Sequence, residues 1–176
     1  KKEINTKLKA SCKLQKLVKL TNLELQTTVN VGKINGGIGA NTISPKCELL
    51  LEIRYTTNDE KIRVLKSLEN IANTSYVKGS KSTLNGAIQR DVMQENAKQL
   101  EFIKELENIT NTTILKEKRG GVSDANIVAS CGVTTLDGFG PFGDGDHTIK
   151  ERALKSSFTS RIELMTKILN HFQKNL

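Results

Sequence analysis

A chain of 176 residues sits near the size of one domain or two small ones, and its 36% hydrophobic content suffices for a core. No run approaches the ~20 apolar residues of a membrane span, and no apolar signal region opens the chain, so it reads as soluble and cytoplasmic. The formal charge of +8 is local, because residues 1–20 carry seven lysines against Glu3 alone. With 4% aromatics, no tryptophan and no RNP-like or zinc-finger spacing, nucleic-acid binding lacks its usual residues, and the lysine-rich face reads as solvated helix surface. Cys12, Cys47 and Cys131 are odd in number and widely spaced, which excludes a disulfide scaffold.

The chain opens on lysine in an almost immediate helical pattern, so it is expected to start inside a larger gene product. Ile4, Leu8, Cys12, Leu14, Leu17 and Val18 recur at helical spacing and predict an amphipathic helix ending near Leu20 to Asn22. Leu25, Thr27, Val29 and Val31 alternate with polar neighbours and predict a strand. Gly36, Gly37, Gly39 and Pro45 break the pattern before a second alternating run, Cys47, Leu49, Leu51, Ile53 and Tyr55; an antiparallel pair is expected. Asn58, Asp59 and Glu60 supply a cap and acidic first turn for a helix carrying Ile62, Leu65, Leu68 and Ala72. A weaker strand over residues 75–81 completes helix, strand, strand, helix, strand. That is a ferredoxin-like split βαβ unit lacking its first strand, which would precede Lys1.

From about Asn85 helices and strands alternate as in a parallel α/β layer. A long helix carries Val92, Leu100, Ile103 and Leu106, and a short strand is expected over residues 112–116. Residues 120–124 turn into a brief helix ended by Gly132, with a strand at residues 133–136. The last helix is expected to be capped by Ser156 or Ser157 and to lay Phe158, Ile162, Met165, Leu169 and Phe172 on a core.

Between these last two elements lies Leu136-Asp-Gly-Phe-Gly-Pro-Phe-Gly-Asp-Gly-Asp-His147, with four glycines, a proline and a histidine in twelve residues. Such a loop is suited to presenting His147 at the carboxyl end of a strand, where α/β folds place reacting groups. Gly138 to Gly143 spell GxGxxG, but no helix opens at those glycines, so the dinucleotide reading fails. Asp144 and Asp146 suggest a calcium loop, yet Ile149 and Lys155 stand where glycine and a bidentate glutamate are required. Gly121-Val-Ser123-Asp-Ala125 partly matches a nucleophile elbow, and Ser123, Asp137 and His147 fall in hydrolase order. An N-cap is the alternative role for Ser123 or Asp124.

Three segments together resemble the zinc exopeptidase and deacylase superfamily that contains glutamate carboxypeptidase, acetylornithine deacetylase, succinyl-diaminopimelate desuccinylase and aminoacylase. Residues 28–37, Ala40-Asn-Thr-Ile-Ser-Pro45 and residues 47–55 resemble its lid; Gly120-Gly-Val-Ser-Asp-Ala-Asn126 and the loop ending at His147 resemble two catalytic-domain signatures. The resemblance implies an incomplete lid or dimerisation domain at residues 1–84 and, at residues 85–176, the C-terminal part of an α/β catalytic domain. It implies a site of two zinc ions with His147 as one ligand, and substrate contacts from Asn41, Gly120 and Gly121. Lys78 or Lys81 stands where members usually carry a lid arginine for the substrate carboxylate, a point charge in place of a bidentate fork. Glu151 matches a recurrent acidic position of structural role.

The other ligands and the general base of that family are expected upstream of Lys1, leaving this chain inactive by itself. The implied substrate is a peptide or N-acyl amino acid with a free carboxylate, cleaved by a homodimer joined through the lid. A non-catalytic dimerisation module or decayed gene product is the first alternative, and a serine hydrolase using Ser123 the second.

Overall fold

The computed structural model describes residues 4–118 and 121–174 and divides the chain into two units, residues 1–94 and 95–176. In the first, α1 (Thr6–Val18), β1 (Thr28–Gly36), β2 (Cys47–Arg54) and α2 (Asn58–Asn73) follow in order. β1 and β2 pair antiparallel from Thr28 opposite Arg54 to Gly36 opposite Cys47, with a register shift between Val31 and Lys33 that leaves Gly32 as the bulged residue. The helices cover one face of this ribbon. Leu17, Val29, Val64 and Leu68 are buried, with Leu49, Leu51 and Ile53 of β2 packed against them while Glu48, Leu50, Glu52 and Arg54 stay exposed. The period-2 pattern of β2 is therefore the side-chain alternation of the strand itself.

Several expectations are corrected here. The buried face of α1 is Lys9, Ala10, Lys13 and Leu17, while Ile4, Leu8 and Val18 are exposed. The cause is in α2, whose last turn holds no basic residue: Lys13 donates its ammonium protons to the carbonyls of Ile71 and Ala72, 2.5 Å away in each case. It thereby neutralises the negative end of that helix, and the same ammonium lies 5.8 Å from the Tyr76 ring centroid. Two of the lysines expected in solvent are thus folded in, their methylene stems serving as core surface. β1 starts later than its alternation suggests because Asn22 and Thr27 exchange backbone hydrogen bonds of 2.9 and 2.8 Å, closing a turn over residues 23–26. Thr57, not Asn58, caps α2 by accepting from the Glu60 amide.

The strand expected at residues 75–81 is absent. Gly79 has φ +84 and the Ser80 amide donates to the Val77 carbonyl, so the segment coils instead of extending. Residues 74–96 contain no helix or strand, yet they are held: Asp91 pairs with Lys61, and the Gln94 side chain accepts from the Asn58 amide.

The second unit contains α3 (Ala97–Thr110), α4 (Asp124–Ser130), a two-residue antiparallel ladder of β3 (Gly143–Asp144) with β4 (Arg152–Ala153), and α5 (Lys155–Lys174). α3 begins at a capping box of Asn96 and Gln99, so Val92 lies outside it, and ends at Asn111 in the left-handed conformation. α3 packs on α5, with the Phe102 and Phe172 rings 6.3 Å apart. The strands expected at residues 112–116 and 133–136 are not formed, so that among the described residues the sheets of this mixed α/β fold are the two antiparallel pairs. An extended segment becomes a strand only where a neighbour takes its amides and carbonyls. Instead Glu107 accepts the Ile114 amide and the buried Gln99 side chain donates to the Thr135 carbonyl. On α5 the expected stripe is only partly covered, since Phe158, Ile162 and Leu169 are exposed, whereas Ser157 and Ile168 are buried. Neither Ser156 nor Ser157 caps this helix, because both lie inside its first turn.

Candidate functional site

The His147 loop is a hairpin, and its sequence explains its shape. Gly143 pairs with Ala153 so closely that a Cβ there would stand 1.8 Å from the Arg152 carbonyl oxygen, so only glycine fits. Asp144 accepts two hydrogen bonds from the Arg152 guanidinium, at 2.7 and 2.9 Å, across the first step of the ladder. Beyond it Gly145 turns the chain at φ +78, and the Thr148 amide and hydroxyl both donate to the Gly145 carbonyl.

His147 stands in this turn at φ +63, in the left-handed region that few non-glycine residues occupy, with its ring exposed. Among the described residues no group hydrogen-bonds the ring. Backbone strain of this kind persists where its surroundings impose it, and it concentrates at functional sites.

The base of the hairpin is tied to α5. The Leu154 amide donates to the Phe142 carbonyl at 3.0 Å. Ser157, almost wholly buried, donates its hydroxyl to the Leu154 carbonyl at 2.6 Å and accepts the Phe142 amide at 3.1 Å. The serine expected as a helix cap is instead a brace beneath the histidine loop.

Ser123 caps α4, accepting the Ala125 amide, while Asn126 accepts the Ser123 amide. Its hydroxyl donates straight to the Asp137 carboxylate at 2.6 Å. No imidazole intervenes between the two, as a serine nucleophile requires; the cap is what the geometry displays. Gly121 is exposed, with open space around its Cα, and Gly120 lies outside the described residues.

In the first unit Asn41 belongs to the loop between β1 and β2 and lines an open pocket of about 360 Å³ with Asn5, Lys7, Thr42 and Ser44. The Thr6 hydroxyl donates to the Ser44 carbonyl at 2.7 Å and moors this loop to the start of α1. Gly37, at φ +85, lets the Lys7 chain cross it: a Cβ would meet the Lys7 ammonium at 2.4 Å. The cation beside Asn41 is therefore Lys7, which the sequence did not single out. Lys78 and Lys81 are exposed and line no part of this pocket.

Among the described residues no group of three or more His, Cys, Asp or Glu side chains converges, so these residues by themselves do not make up the paired-zinc site implied above, and His147 is at most one donor to it. No helix among the described residues is long and apolar enough to cross a membrane.

Comparison with known proteins adds two findings. Residues 3–80 match the family described as the peptidase dimerisation domain. Over 94% of its length the chain is similar in fold to the crystal structure of aminopeptidase PepT from Bacillus cereus ATCC 10987, with a TM-score of 0.65 and 20% identity, covering 44% of that chain. The chain thus spans less than half the length of that relative. No curated protein matches it.

Proposed function

From residues 3–80 being a domain of the peptidase dimerisation family, within the peptidase superfamily that the sequence resembles, we propose that the protein is a metal-dependent amidohydrolase. It cleaves peptides or N-acyl amino acids that bear a free carboxylate. The first unit joins two copies, and the second contributes His147 as one donor to a metal site whose other donors and general base lie outside residues 1–176.

The carrying observation is that a peptidase dimerisation domain is followed, in the same chain, by a braced hairpin holding a strained, exposed histidine. In this reading the chain's own residues hold the imidazole at a fixed place, and Gly121 leaves its part of the pocket open. Asn41 donates to the substrate near its scissile carbonyl. Lys78 or Lys81 was expected to recognise the carboxylate; Lys7, already in the Asn41 pocket, is the better placed cation.

Likeness in fold to an aminopeptidase favours a second reading, in which the free end is the substrate's amine. Paired assays separate the two. The intact protein is expected to hydrolyse N-acetylated amino acids and dipeptides with a free C-terminus, to lose activity to a chelator, and to lose it by about 10²-fold or more in His147→Ala, since removing even an outer-shell partner of a metal ligand costs about 10–100-fold. Activity confined to substrates with a free amine transfers the assignment to the aminopeptidase reading. Full activity in His147→Ala overturns both.

A further inference from the structure

We propose that Arg161 is a positioning residue for the His147 hairpin, acting through Phe142. α5 offers two residues one turn apart, Ser157 and Arg161, to the same hairpin residue. Ser157 accepts the Phe142 amide, and the Arg161 guanidinium carbon lies 5.5 Å from the centroid of the Phe142 ring. That distance is within the range of a cation–π contact.

The ordinary reason for placing a guanidinium against a core helix is missing. Arg161 forms no ion pair among the described residues, and its Nε is buried without an acceptor. Its aromatic contact is with the base of the histidine loop. Backbone and ring of Phe142 are thus gripped by the same face of α5, and Phe142 in turn pairs with Leu154 across the hairpin. The ladder above it is only two residues long and its ion pair is exposed, so the hairpin draws little rigidity of its own from them. Arg161 fixes where the ladder stands, and the ladder carries His147 five residues on.

The inference rests on the reading above only for what His147 does; the clamp is testable without it. Amide exchange on the full chain is the probe. In Arg161→Met the Leu154 and Thr148 amides are expected to exchange about three- to tenfold faster, the scale of losing one partly buried cation–π contact. Amides in the middle of α3 should keep their rates. Phe142→Leu gives the same acceleration, the double variant adds nothing to it, and Arg161→Lys restores part of the protection. Unchanged rates in Arg161→Met overturn the proposal, as does equal acceleration throughout α3 and α5, which would make Arg161 a general packing residue. Loss of hydrolysis in His147→Ala with no loop effect in Arg161→Met refutes the clamp and leaves the proposed function standing; the reverse pattern refutes the function and leaves the clamp.

Discussion

Glu60 shows how much one residue decides in the first unit. It is buried at the start of α2, where two Arg63 nitrogens donate to it at 2.6 and 2.7 Å and the Thr27 hydroxyl at 2.5 Å. Arg63 also donates to the Leu20 carbonyl at 2.9 Å, so the cluster ties α2 to the turn before β1. These bonds, that from Arg63 foremost, outweigh desolvation and hold the carboxyl at about 2 against its ordinary 4.5. A carboxyl lowered by folding stabilises fully above its unfolded value, and that contribution drains away as pH falls from 4.5 toward about 2. Thermal unfolding across that window should show melting temperature falling with acid in the native chain, and falling less steeply in Glu60→Gln. A second residue test concerns Gly37. At φ +85 a side chain is strained whatever the space, and the end of the Lys7 chain would also have to move aside, so Gly37→Ala should lower stability by about 1 kcal/mol or more in urea titration. The candidate site was partly legible at this scale: the glycine content of residues 136–147 announced a presented histidine. The strain at His147 and the placement of Lys7 beside Asn41 were not, since both depend on backbone angles and contacts that spacing does not encode.

Elements differ in how much of them is local. α4 was legible to its ends because its stop and start signals sit in the sequence, a capping box from Ser123 to Asn126 and Gly132 at φ +84. β2 was legible because one face is covered and one is wet. The segments at residues 75–81, 112–116 and 133–136 carry strand-forming residues but meet no ladder partner among the described residues, and pairing is a property of two segments. The inverted burial of α1 was illegible for a similar reason: Lys13 is drawn inward by carbonyls of α2 nearly sixty residues away. Packing at this scale predicts that Leu17→Ala, in the core of the first unit, and Leu106→Ala, on the buried face of α3, each cost about 2–5 kcal/mol, measured by chemical denaturation. Lys13→Met should cost less than Lys13→Ala, because the methylene stem is core surface even where the charge is lost.

At the scale of the whole molecule, residues 3–80 match a peptidase dimerisation domain and the fold is similar to that of an aminopeptidase; in the proposed function His147 needs companions, because no donor cluster converges among the described residues. The dimerisation domain makes a prediction independent of chemistry: sedimentation equilibrium should report twice the chain mass, and His147→Ala should leave that value unchanged because the hairpin belongs to the other unit. The most direct test of the central claim is a crystal structure of the intact protein grown with zinc, with the metal located by its anomalous scattering. The account predicts a zinc ion at about 2.0–2.1 Å from a ring nitrogen of His147. A zinc site built without that imidazole, with the ring turned to solvent, would contradict it.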